Sequence, residues 1–202
     1  MVEGDEPLEA EQEISTVLKE SLPGDASDGY DLAGNIVAKS NSLVRASYKL
    51  NLQEQRLVLA AISKLDSRRP SITPRGQQTT IRISALEFAE TFGIDRRKAY
   101  EELREATNEL FERRITEING KQTTKMRWVS KVQYHDGEGW AEVTFSLDVL
   151  PLLTLLRAKF TTYSLQRVAG LRSTYSIRIF EMLAQFANTG LLRIELDDLI
   201  RQ

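Results

Sequence analysis

The sequence contains no cysteine and only one histidine, His135. Without cysteine the chain cannot form a disulfide bond, a thiolate nucleophile or a Cys-ligated zinc site. A single histidine also excludes a metal site built on paired histidines. The sequence has neither a GxGxxG motif nor a Walker-type Gly-Lys-Ser/Thr motif, which bind nucleotide phosphates. We therefore expect a protein that is not an enzyme and needs no cofactor and no metal.

Long apolar runs are also missing. No segment approaches the roughly 20 consecutive apolar residues that a membrane-spanning helix requires. Residues 1–20 are acidic and lack the basic start and apolar centre of a signal peptide. Hydrophobic residues make up 41% of the chain and charged residues 28%, which is typical of a globular protein. We expect a cytoplasmic protein without a membrane partner.

Charge is distributed unevenly along the chain. Residues 1–35 contain ten acidic residues and one basic residue, a net charge of −9, and are interrupted by glycine and proline. This composition predicts a disordered leader over residues 1–35. The remaining residues carry a net charge of +7, which favours a polyanionic partner. The leader would then either compete for the basic surface or only keep the protein in solution.

A helix-turn-helix pattern lies in the middle of the sequence. Alternation over residues 79–83 predicts a short strand, and Ser84 and Glu87 then form a capping-box pattern at the start of a helix. That helix should end at Gly93, and Asp95 should cap a second helix almost at once. The inner face of the second helix should contain Tyr100, Leu103, Thr107, Leu110 and Phe111.

A β-hairpin pattern follows this helix pair. Alternating side chains predict one strand over residues 125–134, and the glycine-rich residues 136–139 predict the turn. The inward side chains of the return strand should be Ala141, Val143, Phe145 and Leu147. A helix-turn-helix followed by a β-hairpin is the order of a winged helix, in which the hairpin is the wing. We therefore predict an α+β fold of the winged-helix class.

Part of this pattern recurs further along the chain. Tyr48 and Tyr163 are 115 residues apart, and Ile81 and Ile194 are 113 residues apart. The residues around Tyr48 resemble those around Tyr163, and the residues around Ile81 resemble those around Ile194. An apolar helical segment lies between Tyr48 and Ile81, and another lies between Tyr163 and Ile194. The near-constant offset predicts a unit that is repeated.

The repeat divides the chain. The two enclosed helices are predicted over residues 52–65 and 175–186. Asp197 and Asp198 directly follow an alternating segment, so we interpret them as the start of a further helix and not as a metal-binding pair. We expect a first winged-helix domain over residues 36–187. Residues 188–202 should be the start of a second, truncated winged-helix domain.

Five blocks of sequence occur in a fixed order, at residues 36–43, 48–56, 88–94, 160–165 and 173–183. Together they resemble the iteron-binding plasmid replication initiators, the Rep proteins with two tandem winged helices. The resemblance runs from about residue 36 to the end of the chain. The order of the blocks is more specific than any one of them.

The resemblance implies a role in plasmid DNA replication and copy control. In that family the first winged helix mediates dimerisation and adds contacts to the DNA, while the second reads the iteron in the major groove. The implied partners are double-stranded iteron or operator DNA, a second copy of the chain, and the host initiator and replicative helicase. Because the chain stops early in the second domain, sequence reading by that domain is in doubt for it.

The second helix of the helix-turn-helix is basic at its start. Arg96, Arg97 and Lys98 occupy its first turn, and five glutamates follow within residues 101–112. Such an acidic helix would be repelled from a DNA groove, so we predict phosphate contacts at its N-terminal end only. Ion pairs between the three cations and nearby glutamates are the alternative.

A basic ribbon is predicted along the wing. It contains Lys121, Lys125, Arg127 and Lys131, whose long side chains suit phosphate contact. A solvated strand face is the alternative, because edge strands often carry lysine. Two other functions remain open: a stand-alone winged-helix repressor, and a dimerisation module that regulates full-length initiator without binding DNA.

Overall fold

The computed structural model describes residues 31–68, 80–135, 137–187 and 190–192. Its strands are β1 (Ile36–Ser40), β2 (Ser47–Tyr48), β3 (Thr80–Ser84), β4 (Arg114–Asn119), β5 (Gln122–Arg127), β6 (Val129–His135), β7 (Trp140–Phe145) and β8 (Phe160–Ser164). Its helices are α1 (Asn41–Arg45), α2 (Leu52–Ser63), α3 (Ala85–Phe92), α4 (Arg96–Glu112), α5 (Gln166–Ala169) and α6 (Thr174–Gln185), with a 3-10 helix over Leu150–Leu152. The strands form three antiparallel sheets, ordered β1-β8, β2-β4-β5 and β3-β7-β6.

The predicted helix-turn-helix is formed by α3 and α4. Ser84 and Glu87 make the reciprocal capping box at the start of α3. Gly93 ends this helix at φ 63°, a left-handed conformation that glycine adopts without steric cost. Asp95 then accepts a hydrogen bond from the backbone N–H of Arg97 at the start of α4. Each of these local predictions is confirmed.

The inner face of α4 was predicted in part. Leu103, Thr107 and Leu110 are buried, whereas Tyr100 and Phe111 are only partly buried. Two alanines that the sequence pattern did not mark, Ala99 and Ala106, are also buried. Small side chains occupy these positions where α4 lies close to its neighbours.

The helix α2 is the most enclosed element of the described chain. Asn51 and Glu54 form a capping box at its start, and every residue from Glu54 to Ser63 is buried. It packs against α4, β1 and β3. The predicted helix over residues 52–65 is thus confirmed, except that it ends two residues earlier.

The predicted wing is the hairpin β6–β7, which pairs with β3 through β7. Gly137 and Gly139 lie in its turn at φ 86° and 70°, and Asp136 lies outside the described residues. Ala141, Val143 and Phe145 are buried, as predicted. Leu147 was wrongly assigned to the inner face: it follows the end of β7 and is 58% exposed.

The single strand predicted over residues 125–134 is two strands in different sheets. Trp128 separates β5 from β6, and both Trp128 and Val129 are completely buried. Two consecutive inward side chains break the alternation of a single strand, and a bulge between Val129 and Lys131 restores it. As a result β5 pairs with β4 in a second hairpin that the sequence analysis missed.

The end of the predicted acidic leader is part of the fold. Leu32 is buried, and its backbone N–H donates to Thr91 Oγ1 at 2.9 Å. Ser164 Oγ donates to the carbonyl oxygen of Ala33 at 2.9 Å. The leader boundary at residue 35 is therefore too late, because residues 31–35 pack against the domain. Residues 1–30 lie outside the described residues.

The repeat is less regular in the structure than in the sequence. The helix α6 occupies the predicted place, but α5 comes between it and Tyr163. In contrast α2 follows Tyr48 after only three residues. Ile194, Asp197 and Asp198 lie outside the described residues.

A buried polar cluster joins the first strand to the last helix. The Glu181 carboxylate on α6 is completely buried, forms an ion pair with Lys39 of β1 and accepts a hydrogen bond from the hydroxyl of Tyr163 on β8. Arg178 donates to the Tyr48 hydroxyl and to the carbonyl oxygen of Ala46. We call these residues the Glu181 cluster.

Burial, followed by the negative charge of Glu181, raises the pKa of the Tyr163 hydroxyl well above its ordinary value. The hydroxyl therefore keeps its proton and donates a hydrogen bond to the carboxylate. This arrangement supplies Glu181 with both a cation and a neutral donor, which a buried carboxylate requires.

We predict that Glu181→Gln lowers the free energy of unfolding by about 3–5 kcal/mol, because it leaves the Lys39 ammonium buried without a counter-charge. Urea denaturation measures the change. Glu105→Gln, at an exposed position of α4, should stay within about 0.5 kcal/mol of wild type. The double variant Lys39→Met with Glu181→Leu should recover part of the loss, because Arg178, 3.6 Å from the Glu181 carboxylate, still loses its counter-charge. A double variant as unstable as Glu181→Gln would contradict the electrostatic cause.

Candidate nucleic-acid interface

The three cations at the start of α4 are exposed, and two of them have acidic partners. Arg96 Nε donates to Glu90 Oε1 at 2.7 Å, and Arg97 Nη2 donates to Asp95 Oδ2 at 2.8 Å. Lys98 has no side-chain partner among the described residues. The alternative of local ion pairs thus describes Arg96 and Arg97, although their partners precede the helix and are not the glutamates that follow.

The Asp95 carboxylate caps the start of α4 and also binds the Arg97 side chain. The hydrogen bond from the Arg97 side chain lowers the pKa of the Asp95 carboxyl from its ordinary value. The hydrogen bond from the Arg97 backbone N–H lowers it further, by a smaller amount. The side-chain contact raises the pKa of the Arg97 guanidinium. Arg97 would have to leave Asp95 partly or wholly to bind a phosphate.

The glutamates of α4 mostly have structural partners. Glu102 accepts from Gln53 Nε2, Glu109 accepts from Asn51 Nδ2, and Glu112 pairs with Arg127. The first two contacts tie α4 to the start of α2. Only Glu101 and Glu105 remain as exposed carboxylates without a partner among the described residues. The acidic body of α4 is therefore largely used to hold the helix in the domain.

A buried ion pair strengthens the same contact between α2 and α4. Glu54, which is completely buried, accepts from Arg113 Nε at 2.8 Å. Burial raises the pKa of the Glu54 carboxyl, and the bond to Arg113 opposes that change. Arg113 follows directly after α4, so this contact fixes the C-terminal end of the helix.

The four cations predicted to form one ribbon lie on two hairpins. Lys121 lies in the turn of β4–β5, and Lys125 lies on β5, which is an edge strand. Lys131 lies on β6. All three are exposed and without a side-chain partner in the described part of the chain.

Arg127 differs from the three lysines because its guanidinium is engaged. Its Nη1 donates to the carbonyl oxygen of Phe111 at 2.5 Å and to Glu112 at 3.2 Å. The guanidinium also lies over the Phe111 ring, 5.6 Å from its centre. These contacts hold β5 against the C-terminal end of α4, and we infer a structural role for Arg127.

Six of the seven predicted cations form two groups at opposite ends of α4, and the seventh, Lys131, lies on β6. Arg96, Arg97 and Lys98 lie at its N-terminal end, and Arg127 contacts its last turn. A helix of 17 residues is about 25 Å long. Lys121 and Lys125 belong to the hairpin that begins beyond the C-terminal end. The structure does not bring the seven cations together in one patch.

The outer face of the wing sheet carries a polar group that the sequence analysis missed. Arg82 donates to Glu142 on the neighbouring strand at 3.1 Å and lies over the Trp140 ring, 3.8 Å from its centre. Alternation along β3 and β7 could have placed these side chains on one face. Lys131, which is paired with Thr144, points to the same face at its far edge.

No group of three His, Cys, Asp or Glu residues among the described residues is placed to hold a metal ion. No helix in the same residues is long and apolar enough to cross a membrane.

Comparison with known proteins identifies the family. Residues 36–184 match the family described as Initiator Replication protein, WH1. The chain belongs to this family. It is 30% identical over 151 residues to a curated Escherichia coli protein named Replication initiation protein, a match that covers 73% of this chain and 46% of that protein. The chain thus spans about half the length of this relative.

Two further matches each cover more than three quarters of this chain. The chain is 25% identical over 167 residues to an uncharacterised 27.6 kDa protein of Escherichia coli, covering 77% of this chain and 68% of that protein. Among solved structures, it is similar to the Pi initiator protein in complex with iteron DNA, with a TM-score of 0.67, 21% identity and coverage of 83% and 71% of the two chains. The similarity to the Pi initiator structure supports the winged-helix fold.

We predict that Arg127→Ala lowers the free energy of unfolding by about 1–2 kcal/mol, because it removes charge-assisted bonds between β5 and α4. Lys125→Ala, on the same strand, should change it by less than about 0.5 kcal/mol. Thermal and urea unfolding measure both variants. Equal stability of the two variants would show that Arg127, like Lys125, does not stabilise the fold.

Proposed function

We propose that this chain is the dimerising, DNA-contacting part of a plasmid replication initiator, which binds iteron or operator DNA in the cytoplasm and acts in replication initiation and copy control. The observation that carries the proposal is the family match over residues 36–184. The relative named Replication initiation protein supports it. The host initiator and the replicative helicase are the further partners expected of such a protein.

The geometry favours contact with DNA phosphates over reading of bases. The start of α4 combines Lys98, which is free to bind, with Arg96 and Arg97, which can exchange their exposed carboxylates for phosphate. The backbone N–H groups and the positive end of the helix dipole lie at the same place. Behind them, Glu101 and Glu105 would repel the DNA backbone if α4 entered a groove more deeply.

The hairpin β4–β5 supplies the second set of cations. Lys121 and Lys125 are exposed, and Gln122, Thr123 and Thr124 between them are exposed polar residues. A hairpin of this composition can contact the DNA backbone without reading its sequence. The two groups of cations, one at each end of α4, would then contact separate parts of one DNA site.

We expect Lys98→Ala and Lys125→Ala each to weaken binding to iteron DNA and to scrambled DNA by a similar factor. Each loss of a phosphate contact should lower the slope of log affinity against log salt by about 0.9. Gel-shift or anisotropy titrations between low and moderate salt measure both quantities. Glu101→Gln is the matched control on α4, and it should strengthen binding to both DNAs.

A different outcome would identify a base-reading helix. If Arg96→Ala or Arg97→Ala abolished binding to one sequence and spared scrambled DNA, α4 would read bases and the chain would act as a repressor. If the wild-type chain bound neither DNA, the chain would be a dimerisation module.

We infer that two copies pair through the hairpin β4–β5. Its outer strand β5 is an edge with unpaired backbone groups, and Ile118 on β4 is 69% exposed. An exposed edge strand beside an apolar side chain is a template for strand pairing between chains. Lys125 of β5 allows this pairing only in a register that keeps it apart from Lys125 of the second copy.

We predict that the chain is dimeric at micromolar concentration and that Ile118→Glu raises the dimer dissociation constant about tenfold or more. Sedimentation velocity measures the change. The control is Leu147→Glu, which alters another leucine-sized side chain of similar exposure, 58%, away from this hairpin. A monomeric wild type, or an equal effect of both substitutions, would exclude this hairpin as the dimer contact.

A further inference from the structure

The hairpin β4–β5 packs against the domain at its root and projects beyond it. Every residue from Ile118 to Lys125 is exposed. At the root, Ile115 and Met126 are buried, and β2 contributes two ladder pairs to β4. The position of the exposed half therefore depends on what holds these few root residues.

A small rotation at the root has a large effect at the tip. The root pair is Arg114–Arg127, and the pair that closes the turn is Asn119–Gln122, five residues further along each strand. At about 3.3 Å for each residue the tip lies about 17 Å from the root, so a rotation of about 15° moves it by about 4 Å. A displacement of this size breaks a hydrogen bond. Contacts of the tip thus require a root that is fixed in direction as well as in place.

The buried face holds the root from one side. Tyr48, Ile115 and Met126 form one cross-strand row, and all three are buried. Apolar packing is not directional, so contacts on one face alone leave the hairpin free to tilt about this row. A fixed direction requires directional contacts elsewhere at the root.

Two arginines supply such contacts, one at each strand. Arg113 directly precedes β4, and Arg127 is the last residue of β5. Successive side chains of a strand point to opposite faces, so Arg127 leaves the strand on the face opposite to the buried Met126. Its Nη1 donates to the carbonyl oxygen of Phe111 and to Glu112, in the last turn of α4. The root is thus held from both faces.

Arg113 belongs to a closed ring of polar groups. Its Nε donates to Glu54 Oε1 at 2.8 Å, and its Nη2 donates to Glu109 Oε2 at 3.3 Å. Asn51 completes the ring, since its backbone N–H donates to Glu54 Oε2 at 2.6 Å and its Nδ2 donates to Glu109 Oε2 at 2.9 Å. We call these four residues the Arg113 ring. Because Asn51 and Glu54 lie at the start of α2, the ring ties the start of β4 to the most enclosed helix of the described chain.

We propose that Arg113 and Arg127 are positioning residues, which together fix the direction in which the hairpin β4–β5 projects from α4. The functional consequence rests on the phosphate contacts proposed for Lys121 and Lys125. A hairpin held in one direction presents both lysines without the entropy cost of ordering it on the DNA, so the affinity for DNA is higher. Arg113 and Arg127 then affect DNA binding although neither contacts a phosphate.

Spin-label distances measure the direction of the hairpin without DNA. The chain contains no cysteine, so Glu105→Cys on α4 and Thr123→Cys on β5, both exposed, carry the only two labels. Labelled chains are diluted with unlabelled ones, so that each distance lies within one chain. We expect one narrow distance distribution, and a broadening or shift of about 4 Å in Arg113→Gln with Arg127→Gln.

Lys64→Gln is the matched control, because it breaks the partly exposed ion pair Lys64–Glu87 at the opposite end of α2 from the Arg113 ring. It should leave the distance unchanged. Arg113→Gln leaves the Glu54 carboxylate buried without its counter-charge, so a second variant adds Glu54→Gln to the two arginine substitutions and serves if the first does not fold. An unchanged distance in the folded variants would overturn the proposal.

A double-mutant cycle connects the direction of the hairpin to DNA binding. Lys125→Ala is measured by anisotropy in the wild type and in the background of Arg113→Gln with Arg127→Gln. In that background it should lose more than about half of its effect on log affinity, whereas Lys98→Ala, at the other end of α4, should keep its full effect.

The two measurements separate the two possible failures. A Lys125→Ala effect of equal size in both backgrounds would overturn the role of the arginines. A Lys125→Ala variant without effect in the wild type would instead contradict the proposed phosphate contact, and the spin-label distances would still decide whether the arginines direct the hairpin.

Discussion

The completely buried carboxylate of Glu181 holds the two ends of the described chain together. It lies on α6, near the end of the described residues, and its ion-pair partner Lys39 lies on β1, near their beginning. Removing a carboxylate and an ammonium from water costs several kcal/mol for each ion. The cost is offset by the Lys39 ammonium, the Tyr163 hydroxyl and the Arg178 guanidinium, which lies 3.6 Å from the carboxylate. The position of α6 relative to the sheet β1-β8 therefore depends on this geometry.

The same cluster connects α6 to the rest of the domain. Arg178, one turn before Glu181, donates to the Tyr48 hydroxyl, and the Tyr48 ring packs edge-on against Trp128 at 5.0 Å. Trp128 is the residue at which the chain passes from one hairpin to the other. A continuous set of buried contacts thus runs from the last helix to the junction of the two hairpins.

The helix α4 has a structural role as well as a place at the candidate interface. Its carboxylates bind the start of α2 and the strand β5, while three of its four cations lie in the first turn and the fourth, Arg104, lies in the middle of the helix. This division separates charges that would otherwise compensate one another along the helix. It leaves a basic group at each end of α4, with the exposed Glu101, Arg104 and Glu105 between them.

Local interactions were readable from the sequence because they join residues only a few positions apart. The capping box at Ser84, the helix end at Gly93 and the cap at Asp95 all depend on neighbours within four residues, and all are present where they were predicted. The capping box at Asn51 is of the same local kind but was not predicted. The helix-turn-helix and the wing turn followed from such signals. The ordered sequence blocks added the family, which the comparison over residues 36–184 then identified.

The tertiary structure alone decided what depends on contacts between distant residues. The pairing of Lys39 with Glu181 spans most of the described chain, and no periodicity in either segment indicates it. Trp128 and Val129 are both buried because two sheets meet there, so a rule that assumes one sheet face predicted a single strand and missed the hairpin β4–β5. Arg127 looked like Lys125 in the sequence, but only Arg127 reaches the carbonyl oxygen of Phe111. Charge and spacing determine what a side chain can do, and the fold decides which partner is close enough for it to do so.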